Sequence, residues 1–249
     1  MKRFPALAVL LAVLSAGCSH RGVAAFWDGV DVSVSAENFN AAQERFADFA
    51  ELAVASPLNE SVKGLDALFD RLSGDEVSYY IYEEWIEGAF YTLLSPCRNP
   101  DIFDAAAARM LSDGKPGDLQ ERIASLRHWN SLNREGSACS LPPLTAPDGT
   151  PVEVPGGQDC TVLVVDVSCR TCTAALSSPV YGEGRRIAVC FGGKLLPDVP
   201  GWEYCFCPTV RDWFDTESAP FWFTVAADGT VTIPYTAAPT PAFQSYDII

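Results

Sequence analysis

The sequence predicts an α+β chain in two parts, an all-α N-terminal domain followed by an α/β domain with few, short helices. Three observations lead there. Five segments between residues 37 and 135 carry apolar residues at helical spacing and are joined by short loops. After Gly136, prolines, glycines and β-branched residues take over. Within that second part, Thr161–Val167 reads Thr-Val-Leu-Val-Val-Asp-Val, the pattern of a strand buried on both faces.

The N-terminus lies outside both parts. Lys2-Arg3 is a basic start, and Phe4 to Leu14 is an apolar run of signal-peptide length, too short for a comfortable membrane span. Leu14-Ser15-Ala16-Gly17-Cys18 resembles a bacterial lipobox, which implies cleavage before Cys18 and a lipid on its sulfur. The alternative is an ordinary signal peptide. On the lipobox reading, residues 18–25 are a tether to the outer membrane of the cell envelope. Cleavage would leave 232 of 249 residues and, by removing two of 17 basic groups and none of 32 acidic ones, a formal net charge of −17. Such a surface repels nucleic acid and anionic headgroups, so a nucleic-acid partner is not expected.

The helical domain, residues 26–135, is expected to open with Phe26-Trp27-Asp28, aromatic cover for a helix pair. Phe39, Phe46, Phe49 and Ala53 share one face of a first helix. Ser56-Pro57 starts a second, with Pro57 in its first turn, Leu58, Val62, Leu65, Phe69 and Leu72 on its apolar face, and Gly74 at its end. Asp75–Leu94 reads as a third helix rich in aromatics. These are best read as core; a groove lined by Tyr79, Tyr82 and Trp85 is the alternative. Two prolines make Ser95–Pro100 a loop. Ile102–Leu111 is a fourth helix capped near Asn99. Asp118-Leu119-Gln120-Glu121 has capping-box spacing for a fifth, running to about Asn133. His128 has no metal-ligand partner at suitable spacing.

In the second domain, residues 136–249, Pro147–Thr150 is a turn between the extended pieces Leu141–Thr145 and Pro151–Val154. Ile187–Phe191 is a second buried strand beside Thr161–Val167. Val210–Phe214 suits one helical turn. Phe221–Ala226, Asp228-Gly229 and Thr230–Tyr235 form a β-hairpin, and the proline-rich end need not be ordered.

The chemistry concentrates at Cys169-Arg170-Thr171-Cys172, which follows the central strand at a helix start. Unpaired N–H groups at such a start stabilise a thiolate on Cys169, and Cys172, one turn on, can attack a mixed disulfide formed by Cys169. Arg170 adds positive charge beside that thiolate and should make the disulfide more oxidising. The other cysteines, Cys97, Cys139, Cys160, Cys190, Cys205 and Cys207, sit in a chain too large and apolar to need a cysteine framework, so several are expected as buried small side chains.

Strand, Cys-x-x-Cys, strand, Pro220 and hairpin is an order that resembles the thioredoxin fold. Ser218-Ala219-Pro220-Phe221 resembles the stretch that carries its cis-proline, which implies a cis Ala219–Pro220 bond facing the cysteines and pairing with substrate. From about residue 26 to 236 the chain resembles Bacteroidetes lipoproteins that join a helical domain of unknown function (DUF5106) to a C-terminal thioredoxin-like domain. Phe26-Trp27-Asp28, Ser95-Pro96-Cys97-Arg98-Asn99, Gly136–Cys139 and Pro200-Gly201-Trp202 carry that resemblance. It implies thiol–disulfide exchange with protein or peptide partners and a separate redox partner, with no cofactor and no metal.

The sequence departs from that pattern at three places. Ser168 stands where a tryptophan usually precedes the first cysteine. Leu163 stands where a buried acid assists proton transfer, with Asp166 as a candidate substitute. The helix after Cys172 is short and a terminal helix is missing. A non-catalytic binding module with a structural Cys169–Cys172 disulfide therefore stays open. So does a zinc site from Cys169, Cys172, Cys205 and Cys207, although Cys-x-Cys is narrower than the usual knuckle.

Overall fold

A computed structural model describes residues 22–114, 118–182, 184–193, 196–197 and 199–239. The expectations for residues 1–17, for Cys18 and for the proline-rich end beyond residue 239 lie outside these.

The helical half contains α1 (Phe39–Val54), α2 (Leu58–Leu72), α3 (Glu76–Ile86), α4 (Pro100–Asp113) and α5 (Asp118–Ser131). Their apolar faces meet in one core, with Trp27 at its centre. Its ring lies 5.0 Å from Phe49 of α1 and 6.0 Å from Tyr82 of α3. Tyr79 and Tyr82 are fully buried and Trp85 packs on Phe46, so these aromatics are core and form no groove. Chain packing begins earlier than Phe26: a 3-10 turn at Val23–Ala25 lies on α2, with Val23 buried. Residues 22–25 are therefore part of the domain and not tether.

Helix ends differ from expectation in places. Pro57 is the N-cap of α2 and lies outside its first turn, and Leu58 is 45% exposed, off the buried face that Leu65, Leu68 and Leu72 form. α3 stops at Ile86 and continues as a π-helical turn, Glu87–Tyr91, so Thr92–Leu94 are not helical. That wider turn sets Tyr91 against Phe103 of α4, with ring centroids 4.9 Å apart. Asn99 caps α4 as expected, its side chain accepting from Asp101 and Ile102 N–H. α5 ends at Ser131, and Asn133 follows in the left-handed region at φ 49°.

The second half is a seven-stranded sheet. Its strands are β1 (Leu144–Thr145), β2 (Pro151–Val152), β3 (Cys160–Asp166), β4 (Arg185–Phe191), β5 (Glu203–Phe206), β6 (Phe221–Val225) and β7 (Val231–Ala237), in the order β2-β1-β5-β4-β3-β6-β7. β3, β4 and β5 run parallel, and β6 and β7 pair antiparallel at the β3 edge. β3 buries both faces by the two-residue alternation of a strand: Val162 and Val164 face one core, Leu163 and Val165 the other. The first face packs against α7 (Val210–Trp213), Phe214 and Leu93 of the helical half. The second packs against α6 (Arg170–Ala174), Leu176, Tyr181 and Trp202.

The two halves meet through Asn133. It is almost fully buried and satisfied: its amide donates to Ser140 O and Tyr235 Oη and its oxygen accepts from Ser140 N–H. The linker then runs along the hairpin, with Gly136 N–H donating to Val231 O and Cys139 N–H to Gly229 O.

Candidate functional site

β3 delivers the chain to Asp166, whose Oδ1 accepts from Ser168 N–H at 2.8 Å and from Ser168 Oγ at 2.6 Å. This carboxylate stands over Gly192, where a Cβ would meet Oδ1 at 2.0 Å; only glycine fits beneath it. The turn places Cys169 at the N-cap of α6, its sulfur accepting from Cys172 N–H at 3.3 Å. α6 is only five residues long, so this one directed N–H, more than any macrodipole, favours the Cys169 thiolate.

Cys172 is different. It is 6% exposed and its sulfur lies 4.0 Å from Ala219 O. Its thiol is pushed up to about 12, first by burial, then by the hydrogen bond and charge of Cys169, with Asp166 adding to it. Ala219–Pro220 is cis. Cys169, Cys172, Ala219 and Pro220 thus all line one cleft of 870 Å³. A second cis bond, Val154–Pro155, lies away from this cleft and was not signalled by any motif.

Half of that cleft belongs to the helical domain. α3's π turn supplies Glu87 and Tyr91, and α5 supplies Asp118, Glu121 and Arg122. Tyr91 Oη donates to Asp215 Oδ2 at 3.1 Å. Asp215 in turn caps the 3-10 turn Thr216–Ser218 that precedes the cis bond, accepting from Glu217 N–H and Ser218 Oγ. Arg122 pairs with two carboxylates of α3 and its π turn, Glu83 at 2.6 Å and Glu87. Burial pushes Glu83 up to about 7, since a charged carboxylate is poorly solvated there, and Glu87 is raised for the same reason. These helical-domain residues gave no sequence signal, because nothing local to them says which face meets the sheet.

Other candidates do not converge. Leu163 is fully buried where an acid was sought, and Asp166 is the carboxylate that acts on Cys172. Cys205 and Cys207 pack in the core on the opposite face of the sheet from Cys172, so the four-cysteine zinc reading does not hold. Among the described residues no cluster suits a metal ion and no disulfide is formed. Cys139, Cys160, Cys190 and Cys205 are pushed up by burial as expected for core thiols, and His128 is exposed.

A parallel β3–β4–β5 core flanked by a β6–β7 hairpin, with a helix-start cysteine pair opposite a cis-proline, defines a thioredoxin-like fold joined to a helical domain. A thioredoxin-like protein from Bacteroides caccae has a similar structure at TM-score 0.66 and 14% identity, over 85% of this chain and 86% of that one. That coverage exceeds what the sheet half alone supplies, so the likeness in fold extends into the helical half. The C-terminal domain of an uncharacterized protein from Bacteroides fragilis matches at TM-score 0.35 and 13% identity, over 41% of this chain and 89% of that one, too low to carry an argument. No family profile and no curated protein matches the sequence.

Proposed function

We propose that the chain is an envelope thiol–disulfide oxidoreductase acting through Cys169 and Cys172. The observation that carries this is the placement of the buried Cys172 sulfur beside the carbonyl of the cis Ala219–Pro220 bond, with Cys169 partly exposed at the cleft. In the reducing direction, the Cys169 thiolate attacks one sulfur of a substrate disulfide. The new S–S bond joins Cys169 to the substrate and the other substrate sulfur leaves as a thiolate. Cys172 then loses its proton and attacks Cys169. The substrate is released as a dithiol, having gained two electrons, and the Cys169–Cys172 pair is oxidised; a partner dithiol restores it. Oxidation of a substrate is the same sequence reversed. The backbone beside Pro220 would pair with an extended substrate.

The envelope location rests on residues 1–18: processing before Cys18 and lipid attachment there would tether the protein to a membrane, in an oxidising compartment. Replacing Cys18 by Ser should release the protein from membrane pellets.

The decisive experiment is thiol trapping across a redox buffer series. A reversible two-thiol transition that vanishes in Cys169→Ser, together with an accumulating mixed disulfide in Cys172→Ser, supports exchange. A pair that never changes state between reducing and oxidising buffers, with no insulin reduction, would leave a binding module instead.

A further inference from the structure

A second interdomain cavity, 350 Å³, shares the Tyr91–Asp215 wall with the dithiol cleft but does not include the cysteines. Arg98 reaches it from the loop between the π turn and α4. The loop holds that residue firmly: Ser95 Oγ donates to Ala89 O and accepts from Cys97 N–H, and Asn99 N–H donates to Phe90 O.

Arg98 is half-buried, and its Nε is shut away from solvent without a hydrogen-bond partner. Among the described residues its guanidinium makes no side-chain hydrogen bond and no ion pair. The comparably buried Arg109, Arg127, Arg134 and Arg185 each hold a carboxylate. Arg134, the other cation of this cavity, is committed to Asp101, Pro100 O and Asn130 O. Burial also lowers the Arg98 pKa, the mark of a cation kept without compensation. A buried charge without a counter-charge costs free energy in the folded protein. The rest of the wall carries the apolar Trp129, Leu132, Phe221 and Tyr235 and three carboxylates: Asp101, held by Arg134, Asp215, which accepts from Tyr91 and Ser218, and the exposed Glu135.

We propose that this cavity binds a carboxylate borne on an apolar body, the two oxygens on the Arg98 fork and the body against Trp129 and Tyr235. A guanidinium matches a carboxylate with two parallel N–H···O bonds. Asp101 is held by Arg134 and Asp215 by Tyr91 and Ser218, so the Arg98 fork is left for one carboxylate, and the volume lies at the small end of ligand cavities, suited to one ring or one side chain. Two sources share this chemistry, a free organic acid and the C-terminal carboxylate of a peptide ending in an apolar residue. The proposal does not depend on the dithiol reading.

Calorimetry on the full chain, with intrinsic tryptophan fluorescence compared between the native chain and Trp129→Phe, tests it with 3-phenylpropionate, 3-phenylpropionamide, acetyl-Ala-Phe and its C-terminal amide. The expected result is saturable binding of an acid, at least tenfold weaker binding of the matching amide, and a loss of at least tenfold in Arg98→Met. Tighter binding of the peptide than of phenylpropionate assigns the site to peptide C-termini, and the reverse assigns it to free acids. Equal binding of acid and amide, no binding of any probe, or undiminished binding in a folded Arg98→Met overturns the proposal. Should the variant fail to fold, the acid–amide comparison on the native chain decides.

Discussion

Tyr91 of the helical domain donates its hydroxyl hydrogen to Asp215, the carboxylate that caps the turn before the cis-proline. The two residues are 124 positions apart in sequence. One bond therefore links the position of the loop bearing Ala219 and Pro220 to the helical domain. Burial and the adjacent Asp215 charge push the Tyr91 phenol far above its ordinary value, so it stays a donor at any pH the protein meets. Tyr91→Phe keeps the ring contact with Phe103 and removes only the donor. Loss of a hydrogen bond to a charged acceptor is expected to cost about 1.5–3 kcal/mol in urea denaturation. Unchanged stability would mean that Ser218 Oγ and Glu217 N–H hold Asp215 unaided.

The two cysteines should react in a fixed order. Cys169 is partly exposed and accepts an N–H, whereas Cys172 is buried and its thiol sits near 12. Iodoacetamide at pH 8 with mass-spectrometric mapping should label Cys169 first. Cys172 should lag, together with the core thiols Cys139, Cys160, Cys190 and Cys205, until the protein is unfolded. Cys172 labelling at the rate of Cys169 would reverse the proposed attacking and resolving roles.

The sheet half was legible because its signals are local. An apolar run, a Cys-x-x-Cys, a proline and an Asp-Gly turn each fix their own piece of backbone, and β3, α6, the cis bond and the β6–β7 hairpin fall where those pieces were expected. Helix periodicity likewise located α1 to α5. What the sequence hid was contact between distant segments. Tyr91, Glu87 and Arg122 look like ordinary helix residues until the π turn and Asn133 set one domain against the other. The short β1 and β2 also fell within longer extended pieces, since a paired strand ends where its partner does and not where the composition changes.

Glu83 should give the protein a stability that depends on pH. It is only 2% exposed, and burial holds its pKa near 7 against an ordinary 4.5. Between those values the folded chain binds more protons than the unfolded one. Its contribution is complete below about pH 4.5 and is lost as pH rises through about 7. Glu83→Gln should flatten the fall in melting temperature between pH 5 and 8, leaving a smaller slope from Glu87, which is also raised. Arg122 keeps Glu87 as partner in that variant, so no cation is orphaned. Curves for variant and parent that run parallel across this range would contradict the assignment.

The turn before Phe26 is packed against α2. Gly64 of α2 lies against the 3-10 turn at Val23–Ala25, and a Cβ there would stand 2.7 Å from Val23 O and 2.9 Å from Phe49. The first of these is backbone, so the turn and α2 must separate to admit a methyl group. Forcing extra volume into a packed contact typically costs about 1–3 kcal/mol. Alanine's better helix propensity returns about 1 kcal/mol of that at an interior position. Gly64→Ala should therefore destabilise by up to about 2 kcal/mol and expose the chain near Val23 to limited proteolysis while leaving the sheet half intact. Were residues 22–25 a free tether, as the sequence suggested, the same substitution would meet only the Phe49 ring and leave the protease pattern near Val23 unchanged.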